Sequence, residues 1–203
     1  MIQHILNAKH CQRNWADTHV PTELTDDILE CGRLMPTKQS KRHYDLVCVR
    51  DKIARKQINK WCVDQHESPN IHKNPQAQAP VLLLWFKDHT DLINGRWSED
   101  SAAEISIGLS VGACMIKANE LGLRTGCCVC LRNKEIQYFL ESYTGDPWYS
   151  DRNANGKNRT LCLLMGLGYA DPDSTSHIQQ KVDGKLVFRK QPYQDRNMQI
   201  KYI

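Results

Sequence analysis

Three short segments carry the residue types from which a flat, phosphorylated cofactor could be held. Lys9-His10-Cys11-Gln12-Arg13-Asn14-Trp15 gathers cations and small donors around one arginine. A guanidinium offers paired planar donors to a phosphate, and a lysine ammonium offers a point charge. Leu34-Met35-Pro36-Thr37-Lys38-Gln39-Ser40 is a proline-stopped loop at the end of an expected helix. Its hydroxyls, amide and backbone groups can match the carbonyl and imide edge of a heterocycle. Leu121-Gly122-Leu123-Arg124-Thr125-Gly126-Cys127-Cys128 closes a longer expected helix. Taken singly, the first two read more readily as a solvated turn and a capping turn. Together they point to a cofactor enzyme.

Other chemistries find less support. Cys127-Cys128-Val129-Cys130 contains a Cys-x-x-Cys spacing, but zinc needs two further ligands and no second Cys-x-x-Cys or His pair follows. A thioredoxin-like pair opens a helix after a strand, whereas this one follows a helix and a glycine turn. The favoured reading is buried structural thiols, and no metal site is expected. The nine cysteines, at 11, 31, 48, 62, 114, 127, 128, 130 and 162, sit mostly in apolar runs and read as reduced thiols. Gly166-Leu167-Gly168 lacks the third glycine and following helix of a dinucleotide fingerprint. His66, His72 and His89 lie in polar stretches and are expected to face solvent. No Ser/His/Asp order or paired-carboxylate spacing suggests a catalytic side chain.

The elements that must position these groups follow from periodicity. Leu24, Ile28, Cys31 and Met35 share one helical face, with acidic residues in the first turns and Pro36 as the stop. Tyr44–Val49 reads as a strand and Lys52–Val63 as a short helix carrying Ile53, Ile58 and Trp61. Asp64–Pro80, polar and proline-punctuated, reads as a long surface loop. Val81–Phe86 is a buried strand, and Asp88–Asp100 is polar again. Ser101–Leu121 is apolar nearly all round and predicts a central, buried helix. A helix over Lys134–Ser142, a strand over Thr160–Leu167 and a hairpin turning at Asp183-Gly184 complete the pattern. Helices mixed with few strands predict an α+β fold in one domain over 1–203, with 189–203 as a C-terminal arm that packs on a partner subunit.

Composition narrows the class. At 203 residues the chain can bury one good core, and 40% hydrophobic with 25% charged residues is ordinary for a globular protein. The net charge of +4 is spread along the chain, so a nucleic-acid partner is not expected. No apolar run reaches bilayer length and Met1–His10 is too short in its apolar core for a signal peptide, so the expectation is a cytoplasmic protein with no membrane partner.

Read in order, the segments resemble the nitroreductase family of FMN-dependent oxidoreductases. That family opens with Arg-Arg-Ser-x-Arg-x-Phe, matched in register by Lys9–Trp15, and continues through Val20-Pro21 into the first helix. Its Ala-Pro-Ser-x-x-Asn-x-Gln-Pro-Trp-x-Phe element is similar in spacing to Met35–Leu46. Its Leu-Gly-Leu-x-Thr and Gly-Tyr-Pro elements resemble Leu121–Thr125 and Gly168-Tyr169-Ala170. The likeness runs from about residue 5 to about residue 190 in the correct order.

The resemblance implies a nitroreductase-like α+β fold, a central antiparallel or mixed sheet surrounded by helices, in a homodimer with FMN at the subunit interface. It implies that Arg13 holds the FMN phosphate, with His10 and Cys11 standing where the family has Arg and Ser. Pro36, Thr37 and Ser40 would face the isoalloxazine ring and ribityl chain. Cys128, Val129 and Cys130 would lie near flavin N5, and Arg189 or Lys190 would match a C-terminal phosphate contact. The implied reaction is ping-pong: NADH or NADPH reduces the flavin, which then reduces a small electron-poor acceptor such as a nitroaromatic or quinone. Flavin N5 carries that chemistry, with no catalytic side chain. Ser40 replaces the family's Asn, Arg42-His43 replace Gln-Pro, and Val129 and Cys130 stand where glycines are usual. These departures keep two alternatives beside the main reading: a degenerate relative with weak or no FMN acting as a non-enzymatic binding protein, and a different flavin reaction on the same fold.

Overall fold

The computed structural model of the chain describes residues 11–37, 40, 41, 43–62, 74–88, 99–149, 159–171, 178–182 and 185–189, the last two runs as backbone only. Its centre follows from one segment. A run apolar at every position from Val81 to Phe86 is stable only as a strand covered on both faces. It forms most of β2 (Val81–Asp88), an inner strand of a four-stranded sheet. Its partners are β1 (Tyr44–Val49) on one side and β4 (Arg159–Gly168) on the other, with β3 (Arg124–Cys128) beyond β4. All three pairings are antiparallel.

Alternation along β2 sorts the core into two layers. Leu82, Leu84 and Phe86 pack with Ala54 and Ile58 of α2 (Lys52–Lys60) and with Ile136 and Leu140 of α4 (Asn133–Thr144). Val81, Leu83 and Trp85 meet Ile28 of α1 (Thr22–Arg33) and Ile107, Val111 and Cys114 of α3 (Glu99–Glu120) on the opposite face. α1 and α3 approach closely because Gly32 has no side chain: a Cβ there would lie 2.6 Å from Cys114 Sγ. The Tyr44 hydroxyl donates to Gly32 O at 2.7 Å, tying α1 to the first residue of β1.

The β2–β4 register shifts between Trp85 and Phe86, so that Trp85 faces Leu163 while Phe86 faces Leu161. Gln137 of α4 sits against this irregularity. Its Oε1 accepts from Leu161 N at 3.1 Å and its Nε2 donates to Arg159 O at 3.2 Å. A buried side-chain amide thus satisfies backbone groups there. At the same end, Asp45 and Arg159 form a buried ion pair at 3.3 Å, and the guanidinium lies over the Trp148 ring.

The local periodicities locate α1, β1, α2, β2, α3, α4 and β4 to within a few residues. Strands flank the expected turn, β5 (Ile178–Val182) and β6 (Lys185–Arg189), paired so that Val182 is opposite Lys185, while Asp183-Gly184 lies outside the described residues. Three expectations are corrected. Residues 124–128, expected only as part of the segment closing the long helix, form a strand. The second half of the expected surface loop is buried: Pro75–Gln78 is a 3-10 turn whose Pro75, Gln76 and Ala77 lie in the interior. α3 is not enclosed on all sides, since Ile105 is 66%, Leu109 46% and Ile116 37% exposed. His66, His72, His89 and the 190–203 arm lie outside the described residues.

Candidate functional site

The N-terminal run is fastened to the far edge of the sheet by its own backbone. Gln12 N donates to Thr125 O at 2.7 Å, extending the ladder outward from β3. The chain then crosses the end of β4, where Trp15 bridges Ala170 and Ala16 N donates to Tyr169 O at 3.0 Å. The Trp15 indole N–H donates to Pro75 O at 2.8 Å, drawing the buried 3-10 turn over the same corner. Glycine makes this approach possible. A Cβ at Gly126 would stand 2.2 Å from Gln12 O, and one at Gly166 would stand 2.1 Å from Gln76 O.

Cys11, half-buried, accepts from Gln76 Nε2 at 3.4 Å and directs its thiol toward Cys127 O at 3.8 Å. Arg13 is also half-buried in this run. Cys128 ends β3 and is buried; Val129 follows at 70% exposure, and Cys130 is half-buried. The Cys128 sulfur accepts two N–H groups, Asn74 Nδ2 at 2.8 Å and Cys130 N at 3.2 Å. Burial pushes the Cys128 thiol up to about 11, against the lowering effect of the Cys130 N–H bond. Burial likewise pushes Cys127 up to about 12. Both thiols are therefore protonated near neutral pH.

Pro36, Thr37 and Ser40 lie elsewhere. Ser40 adopts a left-handed backbone with φ of 54°, and its N–H donates to Thr37 O at 3.1 Å. Thr37 Oγ1 donates to Lys41 O at 2.7 Å, closing the loop on itself. The loop borders a cleft of about 620 Å³ whose walls come from α1, through Glu30 and Arg33, and from the start of β1, through His43 and Asp45.

The structure therefore gathers the predicted residues into two groups rather than one. Cys11, Arg13, Cys128, Val129 and Cys130 share the β3 edge. Pro36, Thr37 and Ser40 lead into β1, the outer strand on the opposite side of the sheet. The Gln12–Thr125 end of the β3 edge is at the opposite end from the loop, since Tyr44 is level with Lys87 whereas Thr125 is level with Leu167 and Val81; Cys128, level with Leu164, Leu84 and Val47, stands at mid-sheet. Within one chain the two groups stand on opposite edges of the sheet. His10 lies outside the described residues, and Arg189 is placed only as the last backbone position of β6.

Sequence reasoning missed Asn74 and Gln76. Asn74 Oδ1 accepts from Gln76 N at 3.0 Å, which starts the 3-10 turn and leaves Nδ2 to face Cys128. The Asn74-Pro75 dipeptide is a turn-initiating signal that could have singled out the first of them. Among the described residues, no group of His, Cys, Asp and Glu is placed to hold a metal ion. None of the nine cysteines is in a disulfide.

No protein-family profile matches the chain, and no curated protein is similar to it in sequence. Its likeness is to solved structures. A nitroreductase from Bacteroides fragilis, crystallised with bound FMN, superposes with a TM-score of 0.66 at 12% identity, covering 99% of this chain and 98% of that one. Nitroreductase A from Vibrio parahaemolyticus gives 0.62 at 18% identity over 97% of this chain and 78% of its own. A nitroreductase family protein from Clostridium novyi gives 0.64 at 11% identity, covering 85% and 86%. The chain has a nitroreductase-like fold of the α+β class.

Proposed function

We propose that this protein is an FMN-dependent oxidoreductase that uses NADH or NADPH to reduce a small electron-poor acceptor such as a nitroaromatic or a quinone. The observation that carries this reading is the nitroreductase-like fold, shared over nearly the whole chain with a protein crystallised with FMN. The cofactor-like segments adjoin the two outer strands of its sheet, β1 and β3.

The residues present suit FMN on one condition. Arg13 and Cys11 offer a cation and a small donor for the phosphate end, and the open Val129 position beside them leaves room for a ring edge. Thr37 and Ser40 supply hydroxyls for ribityl or ring contacts, but from the opposite edge of the sheet. A second copy of the chain must then bring its Pro36–Ser40 loop to the β3 edge of the first. The outward face of α3 supports such a homodimer: Ile105, Leu109 and Ile116 are exposed along one stripe, with Gly112 between them allowing close approach. His10 and Arg189 complete the proposal as additional phosphate contacts. A single domain over 1–203 with a partner-packing arm at 189–203, and a cytoplasmic location suited to nine cysteines outside any disulfide, belong to the same reading.

When bound, FMN would supply hydride transfer at N5, taking up hydride from the nicotinamide and passing it to the acceptor in alternate half-reactions. The protein's part is to bind and orient. Arg13 neutralises phosphate charge, Thr37 and Ser40 hold the ring's register, and the Cys128–Cys130 segment borders the reacting edge. Thiols pushed to about 11 and about 12 at Cys128 and Cys127 make poor general bases, so no side chain is assigned proton transfer.

The test is the visible absorbance spectrum of freshly purified protein, repeated after FMN addition and desalting. The expected result is a retained two-band flavin spectrum, bleached by NADH or NADPH without oxygen. A colourless protein that cannot keep added FMN overturns the reading. That outcome would select the alternative of a non-enzymatic relative with the same fold. One observation favours it: the Cys130 N–H, an amide expected to face the flavin, is engaged by Cys128 Sγ.

A further inference from the structure

We propose that Cys128 and Cys130 form a redox-active dithiol that undergoes exchange with small organic disulfides. The inference stands on the thiols and their donors and does not depend on bound flavin.

The contrast between Cys128 and the other buried thiols carries it. Cys62 and Cys114 behave as structural thiols do, donating to helix carbonyls, Ile58 O at 3.4 Å and Ile28 O at 3.3 Å. Cys128 does the reverse: its sulfur receives N–H groups from Asn74 Nδ2 at 2.8 Å and Cys130 N at 3.2 Å. A sulfur that accepts two N–H bonds is prepared to carry negative charge. The amide is held in that sense because Asn74 Oδ1 is already engaged by Gln76 N at 3.0 Å.

Placement does the rest. Cys128 ends β3 and the chain turns directly after it, with Leu131 N donating to Val129 O at 3.0 Å, which brings Cys130 within side-chain hydrogen-bonding reach of Cys128. Cys128 is 6% exposed, whereas Cys130 is half-buried and follows the open Val129 position. A reagent arriving from solvent meets Cys130 first and has Cys128 behind it. Among the described residues nothing places these thiols in a metal-binding group.

The chemistry balances as two displacements. Cys130, as thiolate, attacks one sulfur of a disulfide R–S–S–R; that S–S bond breaks, an R–S⁻ leaves and takes a proton. Cys128 then releases its proton to solvent, attacks Cys130 Sγ and expels the second R–S⁻. Two protein thiols become one disulfide and one organic disulfide becomes two thiols. Asn74 and the Cys130 N–H act at the second step, stabilising the Cys128 thiolate against its burial. Asn74 is a positioning residue.

The probe is oxidised glutathione, added to native protein with and without FMN, followed by acid quench, alkylation of remaining thiols and peptide mass mapping. The expected product is a Cys128–Cys130 disulfide with two reduced glutathione molecules released per chain, formed equally in flavin-free protein. Cys128→Ser should stop at one glutathionyl group on Cys130. Asn74→Ala should slow release of the second glutathione several-fold while leaving the first unchanged, a split that general loosening would not produce. Circular dichroism confirms that both variants fold. The proposal is overturned if Cys130 reacts only in denatured protein, if its adduct persists unresolved in the unaltered chain, or if the disulfide formed involves Cys62. Failure of exchange with a normal flavin spectrum would leave the oxidoreductase reading standing, and the reverse result would leave the dithiol standing.

Discussion

Replacing Gly126 with alanine adds one methyl group where the fold has no room for it. The new Cβ would lie 2.2 Å from Gln12 O, 3.0 Å from Gln76 Cγ and 3.3 Å from Gln12 C. The closest of these is a backbone oxygen, which cannot swing aside as a side-chain tip would. The N-terminal run must therefore retreat from β3 and give up the 2.7 Å bond from Gln12 N to Thr125 O. Overpacking of this kind costs about 1–3 kcal/mol, and loss of one buried hydrogen bond about 1 kcal/mol more. The sum, about 2–4 kcal/mol, corresponds to a fall of about 1–2 M in the urea midpoint for a slope near 2 kcal/mol per molar. The same retreat releases Cys11 from Gln76 Nε2 and Cys127 O, so its alkylation by a maleimide should accelerate. Urea titration followed by tryptophan fluorescence, with peptide-resolved alkylation rates, reads both effects. An unchanged midpoint with unchanged Cys11 reactivity would show that Gln12 does not pack over β3, and the placement of the N-terminal run would fail with it.

Under the proposed function, Arg13→Ala should weaken FMN by about 1.5–3 kcal/mol, the worth of a charge-assisted hydrogen bond, and lower the flavin-to-protein ratio after desalting; an unaltered ratio would remove Arg13 from the phosphate site. A charge on the outward stripe of α3, as in Leu109→Glu, should convert a dimer to monomers in sedimentation while helical content is kept; a dimer that survives would place the interface elsewhere. Asp51 caps α2 through Ala54 N at 2.7 Å and accepts from the Tyr143 hydroxyl at 2.9 Å, and these bonds, the backbone one foremost, lower its pKa. A lowered folded-state pKa contributes stability above the unfolded value of about 3.9, and that contribution is lost as pH falls through the folded value. Between neutral pH and acid below that value, the urea midpoint of the unaltered chain should thus fall further than that of Asp51→Asn, and parallel falls would refute the capping role.

Much of the architecture was legible because it depends on near neighbours in sequence. The spacing of Leu24 and Ile28 locates α1, and the unbroken run from Val81 to Phe86 marks the inner strand. Turn chemistry at Asp183-Gly184 marks the connection between β5 and β6. Segment β3 shows where this fails. Arg124-Thr125-Gly126-Cys127-Cys128 has no alternation to announce a strand, and it becomes one because β4 presents an open edge with Gly166 opposite Gly126. Asn74–Ala77 looks polar enough for solvent, yet it is buried because Trp15 and Gly166 draw it over the end of the sheet.

By itself, then, the sequence determined the α+β class, the order of the elements other than β3 and the residue types of the cofactor-like segments, since each is set by periodicity or residue type within a few positions. Only the tertiary structure decided that those segments fall on two opposite edges of the sheet, and that the Cys128 sulfur accepts from two donors, one of them Asn74 across a sequence separation of 54 residues. Strand register and side-chain direction at such distances are chosen by packing, and no local pattern encodes them.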